Sequence, residues 1–400
     1  MLWILFPNFV HQTQSFMKMW AILFFLLPLV GIAYIGWHIW TLLPLHWAWK
    51  SLVILCGTGC FGLLFFIVNK NLDTLPLALS QMLYEIGTSS IFIMLYLVLT
   101  FLLLDLGRLV HLVPRSWLYG NWWSVAGIFV TIFAVFLYGN LHYKHKVRVP
   151  LTLTTTKPLA KDYRIVMLSD LHLGYHNPRT ELARWVDMVN AEQPDLILIA
   201  GDIIDGSIRP LIEEDMAAEF HRLHAPVYAC LGNHEYYSGC PEAQRFFRQA
   251  GIHLLSDSSA VIDSTLVIIG RDDRTNLHRK SVKELATEAH AQLATDTSLP
   301  STPSPTPPAE KVFTILLDHQ PYNLELAEQS HIDFQLSGHT HRGQVWPISW
   351  ITDAIYECSW GNHQRGNTHY YISSGIGIWG GKFRIGTQSE YVVATLNSKP

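Results

Sequence analysis

Residues 163–172 read YRIVMLSDLH, and this stretch decides how the second half of the chain folds. YRIVML is short, apolar and rich in branched and aromatic residues, the pattern of a buried strand. It stops abruptly at Ser169-Asp170-Leu171-His172, where the alternate side chains of an extended segment, Asp170 and His172, point the same way. The arrangement recurs four times. LILIA (196–200) runs into Gly201-Asp202-Ile203-Ile204-Asp205, and VYACL (227–231) into Gly232-Asn233-His234-Glu235. FTILL (313–317) leads to Asp318-His319-Gln320-Pro321, and FQL (334–336) to Ser337-Gly338-His339-Thr340-His341. Helix-like stretches lie at 181–192, 241–251 and 281–294, and a further apolar run, STLVIIG, at 264–270. Alternation of this kind predicts an α/β layered fold. Ligands of open α/β sheets collect outside the carboxyl ends of the strands. Five such ends therefore predict one convergent site.

The residue types at those ends narrow its chemistry. Taken singly, Asp-x-His or Gly-Asp is ordinary turn punctuation; five such endings in succession are not. Asp170, His172, Asp202, Asn233, His319, His339 and His341 offer carboxylates, imidazoles and an amide but no thiolate. That set suits Mn, Fe, Zn or Mg rather than a structural zinc site. Seven candidates exceed what one ion with an open position needs, so two divalent ions are the economical expectation. Two such ions can activate a water and hold both oxygens of a displacement at phosphorus. Gly375-Ile376-Gly377-Ile378-Trp379-Gly380 imitates a dinucleotide fingerprint, but no helix start follows, and these glycines are read as a tight loop.

These motifs resemble the signature of the calcineurin-like metallophosphoesterases. The forms SDLHLG, LLDHQP, SGHTHRGQ and SSGIGIWGGKFRIG are similar to those of its YkuE-like branch, whose members are often membrane-attached. That branch includes the LpxG-type hydrolases of UDP-2,3-diacylglucosamine in lipid A synthesis. The resemblance covers roughly residues 160–390. It implies two packed β-sheets flanked by helices (α/β/β/α). It also implies one metal on Asp170, His172 and His341, a second on Asn233, His319 and His339, and Asp202 as the bridge. His234 would protonate the leaving oxygen or stabilise the transition state, and Asp205 would orient its neighbours. Arg342 and Arg384 are candidate phosphate contacts. The implied activity is metal-dependent phosphoester hydrolysis, with pyrophosphate hydrolysis in UDP-2,3-diacylglucosamine, or a non-catalytic membrane-bound ligand sensor, as alternatives.

The half before residue 146 is different in kind. Four hundred residues suit two domains. Overall 49% of residues are hydrophobic and only 15% charged, and the deficit of charge lies before residue 144. Four stretches, 19–41, 51–69, 88–112 and 122–143, approach or exceed the ~20 apolar residues that cross a bilayer. Trp37, Trp40, Trp47, Trp49, Trp117, Trp122, Trp123 and Tyr143 cluster near their ends, as interfacial aromatics do. Asp105 and Arg108, three residues apart, could pair on one helix face and are read as interface residues rather than a transport pathway. Almost no charge lies within the spans, which argues against a transporter.

The chain is thus expected to be a multi-pass protein of a bacterial plasma membrane, residues 1–146, carrying a catalytic domain over 150–400. A Pro-rich surface insertion is expected at 299–310. Lys18, Lys70, Lys144, Lys146 and Arg148 on one side against Lys50, Arg108 and Arg115 on the other favour a cytoplasmic domain. A lipid-linked phosphoester would suit a tethered site. A net charge of −4 excludes a broadly basic nucleic-acid binder, and no protein partner is evident. The five cysteines lack disulfide or zinc-ribbon spacing and are read as free thiols.

Overall fold

A computed structural model describes residues 14–295 and 312–398, side chains of 14–25, 294 and 295 excepted. The Pro-rich stretch expected at 299–310 lies outside the described residues. The chain forms two compact units, Met1–Gly139 and Asn140–Pro400.

The first unit is helical: α1 (Gln14–Leu42), α2 (Trp47–Val68), α3 (Leu77–Leu109) and α4 (Trp122–Lys144), the last running across the unit boundary. Large apolar side chains such as Leu55, Phe65, Leu103 and Phe129 point outward, the reverse of a water-soluble bundle. Three of the helices, α2, α3 and α4, are long and apolar enough to cross a membrane. In α1 the described apolar part is the shorter stretch Leu26–Leu42. Helix α3 begins earlier than the apolar pattern predicts because its polar first turns are satisfied internally. Ser80 Oγ donates to Leu72 O at 2.7 Å and Thr88 Oγ1 to Tyr84 O at 2.7 Å. Asp105 and Arg108 do not pair with each other among the described residues. Asp105 instead accepts from Tyr34 at 2.7 Å and lies 3.1 Å from His38 Nε2, both on α1, while Arg108 sits over the Tyr119 ring. Charge inside an apolar bundle is cheapest when shared with a neighbouring helix.

The second unit is built on two six-stranded sheets. The first has the order β1 (Lys146–Thr155), β12 (Ser389–Ser398), β2 (Tyr163–Leu168), β3 (Leu196–Ala200), β4 (Val227–Cys230), β5 (His253–Leu254). The second runs β10 (Gly361–Arg365), β11 (Thr368–Ile372), β9 (Phe334–Ser337), β8 (Phe313–Leu317), β7 (Leu266–Gly270), β6 (Ser258–Ile262). Within them β2-β3-β4-β5 and β7-β8-β9-β11 are parallel. Their carboxyl ends therefore share an edge in each sheet.

Alternate residues of each central strand face opposite cores. Ile165, Met167, Leu198, Ile315, Leu317 and Phe334 pack between the sheets. Val166, Leu168, Ile197 and Ile199 face helices α5 (Arg179–Ala191) and α7 (Cys240–Gln249) through Trp185, Val186, Phe246 and Phe247. On the far side Val267, Ile269 and Leu316 meet Val282, Leu285 and Ala289 of α8 (Val282–Thr295). Both faces of each central strand are covered, which is why the strands read as near-continuous apolar runs. The layers are helix, sheet, sheet, helix, as the resemblance implies.

Candidate metal centre

Each candidate ligand leaves its strand on a turn that the neighbouring turns hold. Asp170 N donates to Gly201 O at 3.1 Å, His172 N to Asp202 O at 3.0 Å, and Gly338 N to His319 O at 2.9 Å. Glu235, on the short helix α6 (Asn233–Ser238), ties two of the turns together. Its carboxylate accepts from Gly232 N at 2.7 Å, Asp202 N at 3.1 Å and Ile204 N at 3.0 Å. Glycine is required where these turns cross closely. A Cβ on Gly232 would collide with Asp202 Oδ1, and one on Gly338 with Asp170 Oδ2.

Ligand-type side chains converge in three groups among the described residues, one of them His172, Asp205 and His234. Asp170, His172 and His341 bring one ligand atom each to within 4.8 Å of one another, and so do Asp202, His319 and His339. Between the groups, Asp202 Oδ2 lies 3.1 Å from His319 Nε2 and 3.7 Å from His172 Nε2. Asn233 Oδ1 is 2.9 Å from His339 Nδ1. All seven sequence-predicted ligands thus lie in one cluster. Asp205 stands behind it, 3.2 Å from His172 Nδ1 and 3.3 Å from His234 Nδ1. His234 is partly exposed and its ring lies edge-on to His172 at 4.5 Å.

These contacts fix the faces the imidazoles turn inward. With His172 Nδ1 held by Asp205, and His319 Nδ1 donating to Ala200 O at 2.7 Å, both Nε2 atoms are left for the centre. His172 Nε2 faces His341 Nε2 at 3.0 Å. Asp170 Oδ2, His319 Nε2 and His341 Nδ1 are buried without a hydrogen-bond partner. At the centre itself Asp170 Oδ1, His172 Nε2 and His341 Nε2 face one another at 3.0–3.9 Å, and His319 Nε2 faces Asp202 Oδ2 at 3.1 Å. Ligand atoms crowded together in a buried site are costly, and a divalent cation would satisfy them. The residues fit such a group.

Electrostatics agree. Burial alone would raise the Asp202 carboxyl, but the charges of His319 and His234 hold it well below the usual range. Burial would likewise lower His319, yet Asp202 holds it well above its ordinary value, so positive charge is favoured at that point. His234 is held up to about 9 by Asp202 and Asp205 against its burial. His339 is pushed down to about 3 by burial and the charge of His319, and His341 well down by burial and His172. Neutral imidazole is the form that ligates.

Arg384 requires a correction. It is 0% exposed, and its guanidinium donates to the backbone oxygens of His341 at 2.7 Å and Ser374 at 2.5 Å and to Ser389 Oγ at 3.2 Å. With its donors consumed by backbone, it braces the His341 turn and cannot reach a phosphate. Arg342 is partly exposed and stacks over the Trp360 ring at 4.2 Å. Arg271, Asp272 and Asp273 are drawn into a buried network with Asp318, Tyr236 and Gln320. Sequence reasoning assigned no role to Glu235 or Asn177. Asn177 Nδ2 clamps the oxygens of Leu171 at 3.1 Å and His172 at 3.0 Å. Only a buried, fully used side chain distinguishes these residues, and sequence does not display that.

Comparison with known proteins agrees with this architecture. The family description of calcineurin-like phosphoesterases matches residues 163–343. The chain is 32% identical to an uncharacterized metallophosphoesterase of Campylobacter jejuni, over 60% of this chain and 61% of that protein. It is 30% identical to one of Aquifex aeolicus, over 62% of this chain and 90% of that protein. It is also 30% identical to a transmembrane protein with metallophosphoesterase domain from Danio rerio, over 57% of this chain and 51% of that protein. The chain belongs to the calcineurin-like metallophosphoesterases. Its match spans less than two thirds of the Campylobacter and Danio relatives.

Proposed function

We propose that the second unit hydrolyses phosphoesters at a two-metal centre. Asp170, His172 and His341 would hold one divalent ion, Asn233, His319 and His339 the other, and Asp202 would bridge them. One observation supports the reading: two groups of ligand-type side chains, Asp170, His172 and His341 and Asp202, His319 and His339, converge at the strand ends with Asp202 Oδ2 also 3.7 Å from His172 Nε2 of the other group. Bound there, the ions would supply Lewis acidity toward water and phosphoryl oxygen.

The chain's own residues supply the rest. Asp205 holds His172 and His234 in fixed orientations through their Nδ1 atoms. His234, with Nδ1 directed at Asp205 O at 3.0 Å, keeps Nε2 to pass a proton to the departing oxygen. Glu235 and Asn177 keep the ligand turns in register. The substrate class is a phosphoester. The spanning helices favour a lipid-linked one, of which UDP-2,3-diacylglucosamine is the sharper candidate.

To test this, the full chain is assayed in detergent with Mn against a water-soluble diester, a monoester and UDP-2,3-diacylglucosamine. His234→Ala should lower turnover by about 10²–10⁴-fold, and Asp202→Ala should abolish it together with metal binding. Normal turnover in both variants would sink the assignment. Metal bound without turnover of any ester would instead favour a ligand sensor.

A further inference from the structure

Helix α9 (Ile348–Ile355) follows the His341 turn and carries its apolar face outward. Trp350 is 65% exposed, Ile351 57% and Ile355 46%, with Ala354 exposed between them. Positions 350, 351, 354 and 355 form one helical stripe. Trp346, 41% exposed, meets the Trp350 ring edge-on at 5.3 Å. The one acidic side chain of the helix, Asp353, is engaged by the Ser359 hydroxyl. An outward stripe of Trp and Ile costs hydration unless something covers it.

The second unit itself indicates what covers it. Its first residues, 140–144, are the last turn of α4, a helix long and apolar enough to span a bilayer. That turn rests on the segment 382–385. Asn140 Nδ2 donates to Lys382 O at 3.1 Å and His142 Nδ1 lies 3.4 Å from Arg384 O. The other side of the same segment carries the start of the Trp-rich patch, Trp346 N donating to Ile385 O at 2.7 Å. A strip of four residues thus separates the end of a candidate span from Trp346. The end of a span lies at the headgroup boundary, where Trp and basic residues are favoured, and the last turn of α4 ends with His142 and Lys144.

We propose that the outward face of α9, with Trp346 beside it, docks into the headgroup boundary of the bilayer that the helices of the first unit cross. An amphipathic helix at that boundary sinks its apolar face by roughly 5–10 Å. A second copy of this chain could also cover an apolar face, but nothing would then place the face next to a span end. Docking would hold the metal centre at the lipid surface. Helix α9 begins seven positions after His341 and ends just before Tyr356, whose ring lies 6.4 Å from His339. The proposal rests on reading the apolar helices as spans and not on which ester is cleaved.

The test uses the full chain in nanodiscs containing a phospholipid with a diazirine in its acyl chain. After irradiation and proteolysis, lipid adducts should appear on the spans and also on residues 346–355. Trp350→Glu/Ile351→Glu should reduce adducts on 346–355 about tenfold, with the spans still labelled and turnover of a water-soluble diester unchanged. Adducts on 47–68 and 122–144 but none on 346–355 would overturn the docking and leave the spans standing. Absence of adducts on those spans would overturn both. Adducts on 346–355 that persist in the double variant would show collision rather than docking, and would overturn it too.

Discussion

Five of the seven candidate ligands, Asp170, His172, Asp202, His339 and His341, adopt φ between 46° and 71°. Side chains with a Cβ rarely sit there, and each such residue costs about 1–3 kcal/mol unless its surroundings hold it. Here the surroundings are the crossed turns themselves, and the strain turns each side chain off the strand direction into the shared centre. The close approach of Gly338 to Asp170 is part of the same arrangement. In Gly338→Ala the new methyl would meet Asp170 Oδ2 and displace a candidate ligand. Metal affinity should fall roughly 10–100-fold, the scale seen when support of a ligand is lost, with the circular dichroism spectrum retained. Wild-type affinity by calorimetric titration would show that the approach is not restrictive.

At the level of elements, β2, β3, β8 and β9 are legible in the sequence because both faces of each are covered, which leaves short, mostly apolar runs. The edge strands are not. Lys146–Thr155 alternates exposed and enclosed residues and reads as a charged exit from the membrane, yet it pairs along its whole length with Ser389–Ser398. The convergence of Asp170, His172, Asp202 and the later histidines is legible because their chemistry stands at strand ends. Their positive φ values are not, since Asp and His look alike in any turn. The bracing role of Arg384 is hidden because sequence does not separate a buried arginine from an exposed one. Strand β1 also carries a testable contact. Glu192 follows α5 and receives Arg148 of β1 at 2.7 and 3.0 Å, together with Arg164 of β2. Those bonds, Arg148 first, hold its carboxyl below the usual range. A depressed carboxyl stabilises fully above its unfolded pKa, roughly 4.3, and the contribution fades as pH falls through the folded value. Wild type should therefore melt above Glu192→Gln at pH 7, with the difference closing on acidification. Because both arginines are substantially exposed, the difference should be modest, roughly 0–1 kcal/mol. A difference independent of pH would show that the ion pairs do not act.

On the scale of the whole molecule, the open question is which side of the bilayer receives the second unit. Orientation follows the basic residues nearest the span ends. Lys18, Lys70, Lys144, Lys146 and Arg148 fall on the side of the second unit, while the opposite side offers Lys50, Arg108 and Arg115. In the folded chain several of these charges are engaged. Lys50 donates to Trp40 O at 2.7 Å, and Arg108 and Arg115 both lie over the ring of Tyr119. Lys144 is exposed, whereas Lys146 is folded back over the Tyr143 ring at 3.5 Å. The sorting step reads the chain before these contacts form, so the raw count decides and favours a cytoplasmic second unit. All five cysteines are free, as a reducing compartment permits. A fluorescent protein that matures only in the cytoplasm, fused after Pro400, should therefore glow. An alkaline phosphatase that folds only after export, fused at the same point, should be silent. Lys144→Glu/Lys146→Glu removes two of the favouring charges and should raise the exported fraction. A bright phosphatase fusion in the wild-type chain would reverse the orientation and put the metal centre, with any lipid surface that α9 meets, on the outer face.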